Sequence, residues 1–181
     1  MEYIRLLGIL FLLLFLPQPV FAETKIARNS ASLVRPENRE ETRREVTLQE
    51  YLKQYNSPLA PHAAVFVKQA DTYSLDWRLL VAISGVESTF AKQYPYDSHN
   101  AWGWGIYGDN MIVFQSWEEA IATISKEIRE RYIDGWKAQD VYQIGRYYAA
   151  SPTWAQRVDY FMHDIEAFDR KQNQLRLPIS I

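Results

Sequence analysis

The chain has 181 residues, a formal charge of −2 and 14% aromatic residues, with six Trp and twelve Tyr. It contains no cysteine, which excludes disulfides, thiol chemistry and a lipid-acylated cysteine. The near-balanced charge excludes the basic face that nucleic-acid binding needs. Aromatic side chains in this number suit contact with sugar rings as well as core packing, since π faces meet weakly polar C–H surfaces.

The first stretch, MEYIRLLGILFLLLFLPQPVFA, reads as a secretory signal peptide over residues 1–22. Arg5 supplies a positive start, Leu6 to Leu16 an apolar run, and Val20-Phe21-Ala22 a small-x-small cleavage site. That apolar run is shorter than the roughly 20 residues a membrane-spanning helix needs. No stable span is expected after cleavage, and the protein is expected to be secreted or periplasmic. Residues 23–46 are rich in Arg and Glu without apolar periodicity and read as a flexible charged linker, partly helical near Arg39 to Glu45.

A single mainly α-helical domain is expected over residues 47–172, followed by a loose tail over 173–181. Thr47-Leu48-Gln49-Glu50 matches a capping box ahead of a helix at Leu48 to Tyr55. Asn56-Ser57-Pro58 ends it, and Leu59 to Tyr73 reads as a second helix. Asp76 is a good N-cap for a third helix starting at Trp77. On that helix Leu80, Ile83 and Glu87 share a face, and no Lys or Arg stands three or four residues from Glu87. Two readings stand at this point. Glu87 is either a part-buried general acid whose pKa is raised by burial, or a helix-end carboxylate that reaches out to water.

Pro95 forces extended chain, and Asp97, Ser98, His99 and Asn100 are turn formers. Gly103, Gly105 and Gly108 interleave with Trp102, Trp104 and Tyr107, a run that suits either ordinary turns or the wall of a saccharide groove. A small β-hairpin near 104–115 is expected, turning at Asp109-Asn110. Ser116-Trp117-Glu118-Glu119 is a second capping box, opening a helix to about Tyr132. Glu118 and Glu119 read as first-turn acids that favour the helix dipole. Val141 to Ala149 is the next helix. Ser151-Pro152 then caps a last one, from Thr153 to about Asp169.

No Walker loop, HExxH, CxxC or Gly-x-Ser-x-Gly elbow occurs. His62, His99 and His163 lie far apart and lack the spacing of a metal site. No metal or cofactor is expected. His62 and His163 read as helix-surface residues; His99 is either a ligand contact or an ordinary turn residue.

Several segments resemble the lysozyme superfamily. Ala82-Ile83-Ser84-Gly85-Val86-Glu87-Ser88-Thr89-Phe90 resembles the A-x-x-x-x-E-S-x-[FW] helix of soluble lytic transglycosylases and bacterial endo-β-N-acetylglucosaminidases. Asn100-Ala101-Trp102-Gly103 is similar to the Asn-x-Phe-Gly step of the autolysin-type glucosaminidases. Phe114, Ser116 and the helix ending in Tyr132 continue the likeness. Tyr148-Ala149-Ala150-Ser151-Pro152-Thr153-Trp154-Ala155 looks like their Tyr-Ala-Thr-Asp-Pro-x-Tyr-Ala segment. The likeness runs from about Asp76 to Ile165. It departs at Trp154 and Ser151, where Tyr and Asp are expected, and at Gly103-Trp104-Gly105-Ile106, which stands where the transglycosylases have Gly-Leu-Met-Gln.

The resemblance implies a lysozyme-like fold and cleavage of the β-1,4 amino-sugar backbone of peptidoglycan, with Glu87 as general acid and Tyr148 near the reacting sugar. Ser88, Phe90, Asn100, Trp102, Gly103, Trp104, Tyr107 and Trp154 would line the substrate path. A second carboxylate is usual in glycoside cleavage. Asp109 and Asp97 are the candidates, each also readable as a turn residue. Glucosaminidase-type hydrolysis is favoured. Lytic transglycosylation to 1,6-anhydro products and a non-catalytic saccharide-binding domain are the alternatives.

Overall fold

The computed structural model describes residues 36–106 and 110–176, and these are mostly helical. The expected signal peptide, residues 23–35 of the expected linker, Tyr107, Gly108, Asp109 and residues 177–181 lie outside the described residues. Among the described residues six α-helices occur: α1 (Pro36–Gln54), α2 (Ala63–Thr72), α3 (Leu79–Ser88), α4 (Trp117–Glu127), α5 (Val141–Tyr148) and α6 (Trp154–Arg176). A 3-10 turn, Ala60–His62, leads into α2, and a π-helical segment, Ile128–Gly135, continues α4.

The α3 helix lies in the core of the described residues. Leu79 to Gly85 are buried without a break, so the helix is covered on all sides. Seven consecutive buried positions leave no solvent face, the signature of a core helix and not of an amphipathic one. α6 packs along α3, α5 packs on α6, and α2 packs on α4. Trp102 is fully buried against this core and donates its indole N–H to the Leu80 carbonyl at 2.8 Å.

The charged segment before Thr47 is not linker from Pro36 onward. Residues 36–46 are the first turns of α1, continuous with the rest of that helix. Their charges dock it. Arg44 holds Asp71 of α2 through two nitrogens at 2.7 and 2.8 Å, and Arg43 pairs with Asp169 of α6. Thr47 does not cap a helix, because its hydroxyl donates to buried Asp169 at 2.7 Å. One turn on, Tyr51 donates to Asp164 at 2.7 Å. Arg43, Thr47 and Tyr51 recur at four-residue steps, so one face of α1 meets α6. Helix α6 runs past the expected end to Arg176, which places residues 173–176 of the expected tail in helix.

Other boundaries follow local chemistry. The Asp76 carboxylate accepts the Arg78 backbone N–H at 2.9 Å, so the third helix begins after it, at Leu79. Ser116 caps α4 by accepting the Glu119 N–H, and Asp140 caps α5 by accepting the Gln143 N–H at 2.7 Å. The hairpin expected near 104–115 is not formed among the described residues, where a lone bridge at Asn110 is all that occurs. The Phe114 N–H bonds instead to the Ser98 carbonyl, and the Ile112 carbonyl to the Asn100 side chain.

Candidate active site

Glu87 stands in the last turn of α3, where the chain leaves the core. The residue is open to solvent, unlike the seven before Val86. Its carboxylate is nonetheless held. Trp154 of α6 donates its indole N–H to Oε1 at 2.6 Å. Oε2 lies 3.2 Å from the point where a Cβ on Gly103 would sit. Packing against protein on that side raises the Glu87 pKa above the usual carboxylate value. The Trp154 N–H and the charge of Arg157 oppose the rise without cancelling it. Position at a helix C-terminus acts in the same direction as burial, since the dipole there disfavours an anion.

The chain just after Glu87 is unusual. Thr89, Phe90 and Ala91 all have positive φ, 53°, 57° and 58°. A left-handed conformation costs a non-glycine residue about 1–2 kcal/mol, so this turn persists only because neighbours fix it. The Phe90 ring is buried against Tyr51, Tyr55 and Phe161. Ser57 donates to the Phe90 carbonyl at 2.8 Å, and the Ser88 hydroxyl accepts the Ala91 N–H at 2.9 Å. Ser88 also donates to the Ala101 carbonyl at 2.7 Å, tying the end of α3 to the glycine-rich loop.

That loop is closed by Asn100. Its side-chain amide donates to the carbonyls of Trp104 and Ile112 at 2.7 and 3.0 Å, and its oxygen accepts the Trp104 N–H at 2.9 Å. Gly103 and Gly105 have φ of 61° and 62°. At Gly103 any side chain would press on the Glu87 carboxylate, so glycine here is needed for both conformation and space.

Tyr148, at the end of α5, donates its hydroxyl to the Trp102 carbonyl at 2.8 Å and stacks on Trp154 with ring centroids 4.6 Å apart. Burial first, then the nearby Glu87 charge, pushes its pKa well above the usual phenol value. The hydroxyl therefore stays neutral and serves as a donor. Trp154 and Tyr148, stacked on one another, back the Glu87 carboxylate.

In front of Gly103 lies a cavity of about 330 Å³. Trp104, Tyr132, Tyr147 and Tyr148 supply its aromatic lining, and Thr123, Glu127 and Arg131 its polar one. Trp136 and Tyr147, 44% and 55% exposed with centroids 4.5 Å apart, carry the aromatic surface outward from it. A larger cavity of about 650 Å³, among Leu75, Leu79, Ile133, Val141 and Met162, meets α3 at its other end. Leu79 and Glu87 are about 12 Å apart along the helix, so that space is not where Glu87 acts.

The structure thus brings Glu87, Gly103, Tyr148 and Trp154 together, with Trp104 on the cavity wall. It sets apart other residues expected to touch a substrate. Ser88, Phe90, Asn100 and Trp102 are all buried and hold the site from behind. Trp154 is also buried, and clamps Glu87 instead of offering a free face. Asp97 is an exposed turn residue with φ of 58°. Asp109 and Tyr107 lie outside the described residues. His99 bonds to the Phe114 carbonyl at 3.0 Å and packs edge-on to Trp117. His62 bonds to Glu118 at 2.7 Å.

Sequence reasoning did not single out Arg157, Thr123, Glu127, Arg131 or Tyr147. Arg157 comes from α6, seventy-one residues along from its Val86 partner, beyond any local spacing rule. Thr123, Glu127 and Arg131 stand at four-residue intervals, but Glu119, Lys126 and Glu130 share that side of the helix, so in the sequence they read as an ordinary solvated face. Chemically, the site presents a carboxylic acid biased toward its protonated form beside an aromatic-lined space. A raised pKa is the direction that proton donation to a leaving oxygen requires. Among the described residues no group of three His, Asp or Glu side chains is placed to hold a metal ion. No family model matches the chain, and no curated protein sequence matches it.

Proposed function

We propose that this protein is a lysozyme-like glycosidase that cuts the β-1,4 amino-sugar backbone of peptidoglycan, with Glu87 as general acid. The observation that carries the reading is the Glu87 carboxyl group itself. It is held by the Trp154 N–H, has a raised pKa, and lies against Gly103, which lines an aromatic cavity. A general acid must hold its proton near neutral pH, and burial is how a carboxyl group is made to do so. Aromatic rings beside it suit the apolar faces of sugar rings. Hydrolysis of the glucosaminidase type is the form favoured.

The sequence features of residues 1–22 support export, to the periplasm or the medium, where peptidoglycan is found. Among the described residues no helix is long and apolar enough to cross a membrane.

Digestion of purified peptidoglycan, with the products weighed, tests the reading. Hydrolysis adds one water per cut and leaves reducing N-acetylglucosamine ends. Transglycosylation gives 1,6-anhydro products one water lighter. A protein that binds peptidoglycan and releases nothing would be the non-catalytic saccharide-binding domain instead.

A further inference from the structure

The cavity wall formed by α4 carries a polar row. Thr123, Glu127 and Arg131 follow at intervals of four, share one face of the helix, and all line the cavity. α4 gives way to π geometry at Ile128, directly after Glu127. Such irregular turns recur at functional sites because they re-aim side chains. Across this junction Arg131 reaches back to Glu127, nitrogen to Oε2 at 2.8 Å. Among the described residues the other oxygen, Oε1, has no protein partner. Among the described residues, Glu127 is the one carboxylate lining this cavity.

We propose, resting on the glycosidase reading above, that Glu127 is the second carboxylate of the reaction, the base that takes a proton from the attacking water. Gly103 and Glu127 belong to different segments lining the same space, and Glu87 lies at the Gly103 edge. The two segments border one space of about 330 Å³, and a base that activates water needs such a gap between itself and the acid. The water oxygen bonds to the anomeric carbon and its proton passes to Glu127. The glycosidic C–O bond breaks with its electron pair leaving on oxygen, and that oxygen takes the proton held by Glu87. One water is consumed per cut and the anomeric centre inverts, from β linkage to α product. Arg131 is a positioning residue that fixes Oε2 and leaves Oε1 to the water.

The test uses the full-length protein on purified peptidoglycan, with wild type, Glu87→Gln, Glu127→Gln and Glu127→Ala. Melting curves check that each variant is folded. Glu127→Gln is expected to lower turnover by about 10²–10⁴-fold while still sedimenting with insoluble peptidoglycan like wild type. In Glu127→Ala, added azide enters the vacated space and restores cleavage, giving a glycosyl azide of α configuration. Turnover of Glu127→Gln within about threefold of wild type, with Glu87→Gln inactive, overturns the role of Glu127 and leaves the glycosidase reading standing. Products lacking one water also overturn it, since no water is then activated. Release of nothing by wild type overturns both.

Discussion

At the scale of single residues, the site depends on how Glu87 is held. Two groups act on its acidity in opposite senses: packing raises its pKa and the Trp154 N–H lowers it. Replacing Trp154 with Phe removes the donor and leaves burial less opposed, so the Glu87 pKa rises further. The acid then keeps its proton to higher pH. The alkaline limb of the rate–pH profile of Trp154→Phe is therefore expected to move upward relative to wild type. A downward move would mean that the indole supports the protonated form. Gly103 offers a second probe. A methyl group there meets Oε2 and occupies a left-handed conformation. Gly103→Ala should lower kcat/KM by roughly 10²-fold, the usual effect of a misplacement of about an ångström. Wild-type kcat/KM in this variant would show that the contact does not position the acid.

Glu87 was singled out in the sequence as a carboxylate in line with Leu80 and Ile83, and that ground does not hold. Its face of α3 is no more apolar than the others, because α3 is buried all round. What frees Glu87 is its place in the last helical turn. Ser88, Phe90 and Asn100 carried the motif likeness, yet they serve the backbone around the site and none of them faces the cavity. A motif shows which residues act together. It does not show which of them faces a ligand, and here only the hydrogen-bond partners decide that.

At the scale of elements, the left-handed turn Thr89–Ala91 is the joint between the core helix and the site. Its strain is held by the Phe90 ring in its aromatic surround. Phe90→Ala is expected to cost about 3–5 kcal/mol from lost packing alone. Chemical denaturation checks this, and a loss below about 1 kcal/mol would show that the ring does not hold the turn. Helix starts at Ser116 and Asp140 obey local capping chemistry, and Ser116 was read from the sequence for that reason. Thr47 has the same local signature but gives its hydroxyl to Asp169, a partner 122 residues away. The charged residues 36–46 were misread for the same cause. Arg43 and Arg44 look like solvated linker until Asp169 and Asp71 are placed beside them. The π segment after Glu127 has no sequence rule that announces it, so the polar row it helps aim stayed unread.

At the scale of the whole molecule, the described residues of a chain without cysteine include one helix, α3, buried from Leu79 to Gly85, with α6 packed along it. That arrangement makes α3 a rigid mount. Glu87 leaves its C-terminal end, while α5 and α6 bring Tyr148 and Trp154 to it and α4 supplies the far wall of the cavity. The aromatic content that first suggested sugar contact divides between two uses. Trp102 and Phe90 are core, whereas Trp104, Trp136, Tyr147 and Tyr148 follow the cavity and its rim. The most direct measurement is the release of soluble fragments from purified peptidoglycan by wild type and by Glu87→Gln, compared at equal protein. Glu87 as general acid predicts steady release by wild type and a loss of about 10²–10⁴-fold in the variant. Equal release by the two proteins would contradict it.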